Sequence, residues 1–124
     1  MRGIVVFAHG SRVESANEAV RSVAAELGHR GDFRVEAAFL ELGDPNLEGS
    51  VALLVAAGVD SITVIPYFLT LGLHMERDLP PLIEKISNQY NGLQIAVTPP
   101  LDGHPALVEA LLDRAMSASH STSS

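Results

Sequence analysis

The sequence predicts an α/β domain, with four strands in a parallel sheet and helices on both of its faces. Apolar, β-rich runs alternate with segments of helical period in the order βαβαβαβα, which implies parallel strands joined through helices. The first run, IVVFA at Ile4–Ala8, is continuously apolar, as expected of a strand covered on both faces. ITVIPY reads the same way, with Thr63 as its one polar member.

Each element has its own local reason. After strand Ile4–Ala8, Ser15-Ala-Asn-Glu18 has capping-box spacing, Ala16, Val20, Val23 and Leu27 repeat on one helical face, and Gly28 marks a stop. The second strand is expected at Phe33–Phe39. Asp44-Pro45 then reads as a cap followed by a first-turn proline, Leu47, Val51, Leu54 and Val55 keep helical spacing, and Gly58 closes the helix. The third strand is Ser61–Tyr67, followed by a long loop from Phe68 to Leu79. A third helix carries Leu79, Leu82, Ile83 and Ile86 and stops before Asn91-Gly92. The fourth strand is Leu93–Thr98, and a last helix from Pro105 carries Leu107, Val108, Leu111 and Leu112. Residues 1–116 thus make a single domain, while SASHSTSS at 117–124 is small, polar and aperiodic and is expected to be a disordered tail.

Composition excludes several function classes. A chain of 124 residues, 47% apolar and 19% charged, suits one globular core. Eight Lys and Arg against fifteen Asp and Glu give a net charge of −7, which argues against nucleic acid as a partner. The absence of cysteine removes disulfides, thiolate metal sites and cysteine nucleophiles, and suits a reducing compartment. MRGIVVFAHG lacks a signal-peptide cleavage pattern, and its apolar run is too short for a bilayer. The expectation is a cytoplasmic protein without a membrane partner.

Open parallel sheets bind ligands beyond the carboxyl ends of their strands. Strand one delivers His9-Gly10-Ser11-Arg12 there, strand two Glu41, strand three the segment with His74, and strand four Pro99–His104. With strand order 2-1-3-4, His9 stands beside both Glu41 and His74. Two imidazoles and a carboxylate suit cobalt, nickel, iron or zinc, and they equally suit proton abstraction near neutral pH. A single histidine after a strand is more often a hydrogen-bonded loop residue, and Glu41 could merely favour the start of the second helix; two histidines on neighbouring strand ends shift the balance. His29 and His120 read as surface residues and His104 as the start of the last helix. Phe68, Leu69, Leu71, Leu73 and Met75 cannot all turn inward and form an apolar wall, for a ligand or for packing against a second subunit. Arg12 and Arg77, with Lys85 behind them, are the basic groups available to an anion.

Rival readings are weaker on the residues. Histidine phosphatases place an arginine before their His-Gly, where this chain has Ala8. No glycine-rich phosphate loop supports a flavin or nucleotide, since HGSRVES offers one glycine. A non-catalytic divalent-metal carrier needs the same histidines and stays open.

His9-Gly10-Ser11-Arg12, AFLELGDPNL, IPYFLTLGLHMERDLP and PPLDGHPALVEALL together resemble the small, short-form class II chelatases: the sirohydrochlorin cobaltochelatases and ferrochelatases of cobalamin and sirohaem synthesis. The likeness runs from about Gly3 to about Arg114, and its third segment is the most specific. It implies a three-layer α/β/α, flavodoxin-like chelatase fold and a lyase activity. Co2+, Fe2+ or Ni2+ would enter sirohydrochlorin as substrate, with no organic cofactor. His9, His74 and Glu41 map onto the family's catalytic and metal-handling residues. Gly10, Ser11, Arg12, Phe68, Leu71, Gly72, Leu73 and Arg77 are expected to contact the tetrapyrrole. Longer members carry two such domains in tandem, so one domain implies a homodimer enclosing the macrocycle.

Overall fold

A computed structural model describes residues 1–118. Its elements are β1 (Arg2–Ala8), α1 (Glu14–Arg30), β2 (Arg34–Phe39), α2 (Leu47–Ala56), β3 (Ser61–Pro66), α3 (Leu73–Ser87), β4 (Gln94–Val97) and α4 (Pro105–Ser117). The sheet is parallel throughout, in the order β2-β1-β3-β4. The most continuously apolar strand, β1, is buried from Gly3 to Ala8 because both neighbours and both helical layers cover it.

Side chains alternate across the sheet, so the two layers have separate cores. Val6, Ala8, Ala37 and Phe39 meet α1 through Ala24, Val20 and Leu27. Val5, Phe7, Ala38, Ile62 and Val64 meet α2 and α3 through Val51, Leu54, Leu79 and Ile86. Each fully buried Val, Leu or Ile contributes about 1.5–3 kcal/mol, so these two contacts anchor three of the four helices. Helix α4 buries none of its residues. Of the apolar residues on its expected stripe Leu107 is half-buried, while Val108 is 66% and Leu111 70% exposed. On the face that α1 shares, Thr63 and Ile65 are only half-buried and Ala96 is exposed.

Several helix ends differ from expectation. Helix α1 starts at Glu14 behind Val13 with no side-chain cap, so the Ser15–Glu18 capping box does not form. Ser11 makes the preceding turn, its Oγ accepting from the Val13 N–H at 3.0 Å. The helix passes through Gly28, a defect of about 1 kcal/mol that packing against β2 outweighs, and ends at Arg30. Its buried stripe is Asn17, Val20, Ala24 and Leu27, with Ala16 and Val23 exposed. Helix α2 is capped by Asn46, whose side chain accepts from Gly49 N–H at 2.8 Å, and Asp44-Pro45 precedes it. Helix α3 begins at Leu73, so half of the expected loop is helical. Pro80 and Pro81 lie inside α3 on exposed positions, where water can take the two carbonyls that the missing N–H groups leave free.

His104 starts α4 as expected, its Nδ1 accepting from Ala106 N–H at 3.0 Å. His29 is exposed in the last turn of α1. Ser117, the first residue of the expected tail, belongs to α4, while His120 and the rest of 119–124 lie outside the described residues. Among the described residues no helix is long and apolar enough to cross a membrane.

Candidate active site

Backbone register brings His9 and Glu41 together. Ala8 pairs with Phe39 at the end of the β1–β2 ladder, and the ladder continues past both strands: Leu40 N–H donates to Ala8 C=O at 2.9 Å and Glu41 N–H to His9 C=O at 3.1 Å. The two side chains follow, with His9 Nδ1 3.8 Å from Glu41 Oε1 and both groups about three-fifths exposed (61% and 59%). Gly10 makes this approach possible. Its φ is +96°, and a Cβ there would lie 1.7 Å from the Glu41 carbonyl oxygen. Its role is thus in the loop crossing.

The neighbouring strand supplies the apolar wall. Tyr67 N–H donates to Phe7 C=O at 2.7 Å, and the Phe68 ring then stands edge-on to both Phe7 (6.2 Å) and His9 (6.3 Å). The loop after Phe68 is tied to the β4–α4 loop by Leu101 N–H to Phe68 C=O and Asp102 N–H to Leu69 C=O, at 2.9 and 2.8 Å. Gly72 ends that loop and caps α3 through its backbone, which sets His74 in the helix's first turn. His9 and His74 share a cavity of about 280 Å³ whose wall includes Leu40, Phe68, Leu71 and Met75. Leu73 does not line it and is 84% exposed.

His74 has a defined partner. Arg77 Nη2 lies 3.2 Å from His74 Nδ1. A guanidinium only donates, so Nδ1 accepts and the ring proton resides on Nε2. Arg77 Nε also donates to Asp78 at 3.0 Å. That bond raises the Arg77 pKa, and the same bond holds the Asp78 carboxyl below its usual range. Arg77 is thus occupied by two neighbours while its side chain stays largely exposed. Arg12 is exposed on the β1–α1 loop, and Lys85 pairs with Glu48 on the flank of α2 and α3 at 3.7 Å.

The fold therefore joins His9 to Glu41 on one side and to the cavity of His74 on the other. Glu41 does not line that cavity, and among the described residues no cluster of three His, Cys, Asp or Glu stands ready to hold a metal. Sequence reasoning missed Asn17, whose buried side chain bonds Ser11 and Leu42, the loops behind His9 and Glu41. The available signal was an amide within the apolar stripe of α1. Leu40 and Thr70, also in the cavity wall, carry no sequence signal.

Known proteins resemble this chain in sequence and in fold. The chain is 37% identical over 84 residues to the sirohydrochlorin cobaltochelatase of Methanopyrus kandleri, covering 67% of this chain and 59% of that one. It is 30% identical over 118 residues to the sirohydrochlorin cobaltochelatase of Sulfolobus acidocaldarius, covering 95% and 93%. The sirohydrochlorin chelatase SirB from Bacillus subtilis subspecies spizizenii, solved in complex with cobalt, superposes with a TM-score of 0.84 at 26% identity. That match takes in 93% of this chain and 50% of SirB, so the chain spans half the length of one relative and nearly all of another. The profile of the CbiX family spans residues 3–118, taking in all of the sheet but Arg2, all four helices and every rim residue above, and this chain is a member of that family.

Proposed function

We propose that this protein inserts a divalent metal, Co2+ or Fe2+, into sirohydrochlorin, with His9, Glu41 and His74 as the reacting side chains. The observation that supports it most is the shared cavity: two imidazoles reach one open, apolar-walled hollow on the rim of the sheet, and a carboxylate stands beside one of them. Insertion removes two pyrrole N–H protons as the ion sheds water and gains four ring nitrogens. A neutral imidazole can ligate the ion or accept a proton, and His9 has Glu41 beside it to orient the ring and stabilise the imidazolium. His74 needs Arg77 to move before Nδ1 can act, and a substrate carboxylate is the natural competitor for that guanidinium. The macrocycle face rests on Phe68, Leu71 and Met75. Because the metal must leave with the product, an open nitrogen and oxygen site serves better than a tight thiolate cage.

The working unit in this reading is a homodimer. The rim is open on one side, α4 presents apolar residues that none of the described residues bury, and a groove of about 520 Å³ between α3 and β4 is lined by Met75, Leu79, Ile83, Ile95 and Val97. A 13-residue helix is marginal in water unless packed, and a second copy gives it a surface. SirB, twice as long, has room within one chain for a second such unit.

The decisive experiment mixes purified protein, sirohydrochlorin and Co2+ without oxygen and follows the absorption bands against a protein-free control, then repeats it with Fe2+. Faster conversion with protein is expected. Stoichiometric metal binding without acceleration refutes the enzyme and supports a metal carrier.

A further inference from the structure

We infer that Asn17 is a positioning residue, whose buried amide fastens the loop behind His9 to the loop behind Glu41 and thereby sets that pair. The inference rests on the reading of the site just given. Asn17 is 1% exposed and stands on the apolar stripe of α1, where a polar side chain is costly unless every hydrogen bond is made. Both N–H groups and one lone pair of the amide are used, with Glu14 Oε2 a longer 3.4 Å neighbour of Nδ2. Its Oδ1 accepts from Ser11 N–H at 2.9 Å, and its Nδ2 donates to Ser11 C=O at 2.9 Å and to Leu42 C=O at 2.9 Å. Ser11 is two residues past His9, and Leu42 is one past Glu41. No other side chain of this length offers an acceptor and two donors, so the amide replaces the ladder bonds that end where the strands diverge.

The surrounding geometry points the same way. Leu42 holds φ at +58°, a conformation that non-glycine residues adopt only when neighbours impose it, and its carbonyl is the one Asn17 takes. One turn further along α1, Arg21 donates to Asp44 C=O at 3.0 Å and lies over the Phe39 ring at 5.2 Å. Helix α1 thus grips the β2–α2 loop at two successive residues of one face. The side chains of His9 and Glu41 are exposed and share no hydrogen bond, so their 3.8 Å separation depends on how firmly these loops are held.

Asn17→Asp tests this with almost no change in shape. It keeps an acceptor for Ser11 N–H and sets an oxygen against the carbonyls of Ser11 and Leu42. The kinetics of Co2+ insertion and amide hydrogen exchange of the dimeric protein are the two readouts. We expect kcat to fall about tenfold or more with KM for sirohydrochlorin within about twofold, since the apolar wall is untouched. We expect the Glu41 amide to exchange about tenfold faster. In a Glu41→Gln background the same change should cost less than about threefold, because both act through one pair. A folded Asn17→Asp protein with kcat within about twofold of wild type and unchanged Glu41 exchange overturns the inference. Should that variant not fold, Asn17→Ser, which leaves room for a water, is read by the same criteria. A wild-type protein without chelatase activity refutes the functional reading instead, and exchange at Glu41 then decides the clamp alone.

Discussion

Nδ1 of His9 lies 3.8 Å from Oε1 of Glu41, and the backbone bond between the same two residues, Glu41 N–H to His9 C=O, explains why. An exposed pair at this distance contributes less than about 1 kcal/mol to stability, so removing it should leave the fold intact. His9→Ala and His74→Ala should each lower the rate of Co2+ insertion about a hundredfold or more while the far-ultraviolet spectrum stays unchanged. Glu41→Gln keeps the shape and removes the charge. Its kcat should fall about tenfold with KM for the macrocycle within about twofold; a change confined to KM contradicts the assignment.

Gly10 and Leu42 both hold positive φ beside this pair, and their substitutions should act in opposite directions. Gly10→Ala places a methyl 1.7 Å from the Glu41 carbonyl oxygen, so the β1–α1 and β2–α2 loops must part. The expected loss is about 3 kcal/mol or more, a fall of about 10 °C or more in Tm. Leu42→Gly relieves a left-handed conformation worth about 1–2 kcal/mol and adds about 0.5–1 kcal/mol of unfolded-state freedom, so its Tm should hold or rise slightly. Thermal melts monitored by circular dichroism separate the two.

Much of this arrangement is legible in the sequence. A continuous apolar run names β1, where burial on both faces leaves no room for alternation, and the rim position of His9, Glu41 and His74 follows from where the strands end. The start of α3 is not legible: Pro80-Pro81 reads as a boundary, yet exposed prolines leave carbonyls that water can satisfy. Asn17 is legible only as an amide on the apolar stripe of α1, since the carbonyl that explains it is 25 residues away. For α4, helical periodicity announces an apolar face without stating which chain covers it.

Glu14 links the same loops to pH. Its pKa is lowered, first by the hydrogen bond from Arg21 and then by that from Asn17. A carboxylate whose folded value lies below its unfolded value adds stability above the unfolded glutamate value and loses it as pH falls through the folded one. Glu14→Gln should therefore lower Tm relative to wild type at neutral pH. The gap should close as pH drops below about 4. A gap that persists at low pH shows that charge is not what Glu14 contributes.

Helix α4 offers the last prediction. Val108 and Leu111 are exposed by 66% and 70%, and no residue of the helix is buried among the described residues. An apolar side chain of this kind gains about 1.5–3 kcal/mol on burial, so a two-fold contact that covers such residues on both copies gathers enough to hold a dimer. Leu111→Glu puts a charge on each copy at that contact, where neither has a partner for it. Sedimentation velocity should show wild-type dimer and variant monomer at the same concentration, with the melting of the β1–β3 core little changed because Leu111 touches none of it. Chelatase activity should fall with the dimer fraction and recover as protein concentration rises, since a rim open on one side holds a flat macrocycle poorly. A variant that remains dimeric and fully active removes α4 from the contact, and a monomeric wild type with full activity removes the dimer from the mechanism.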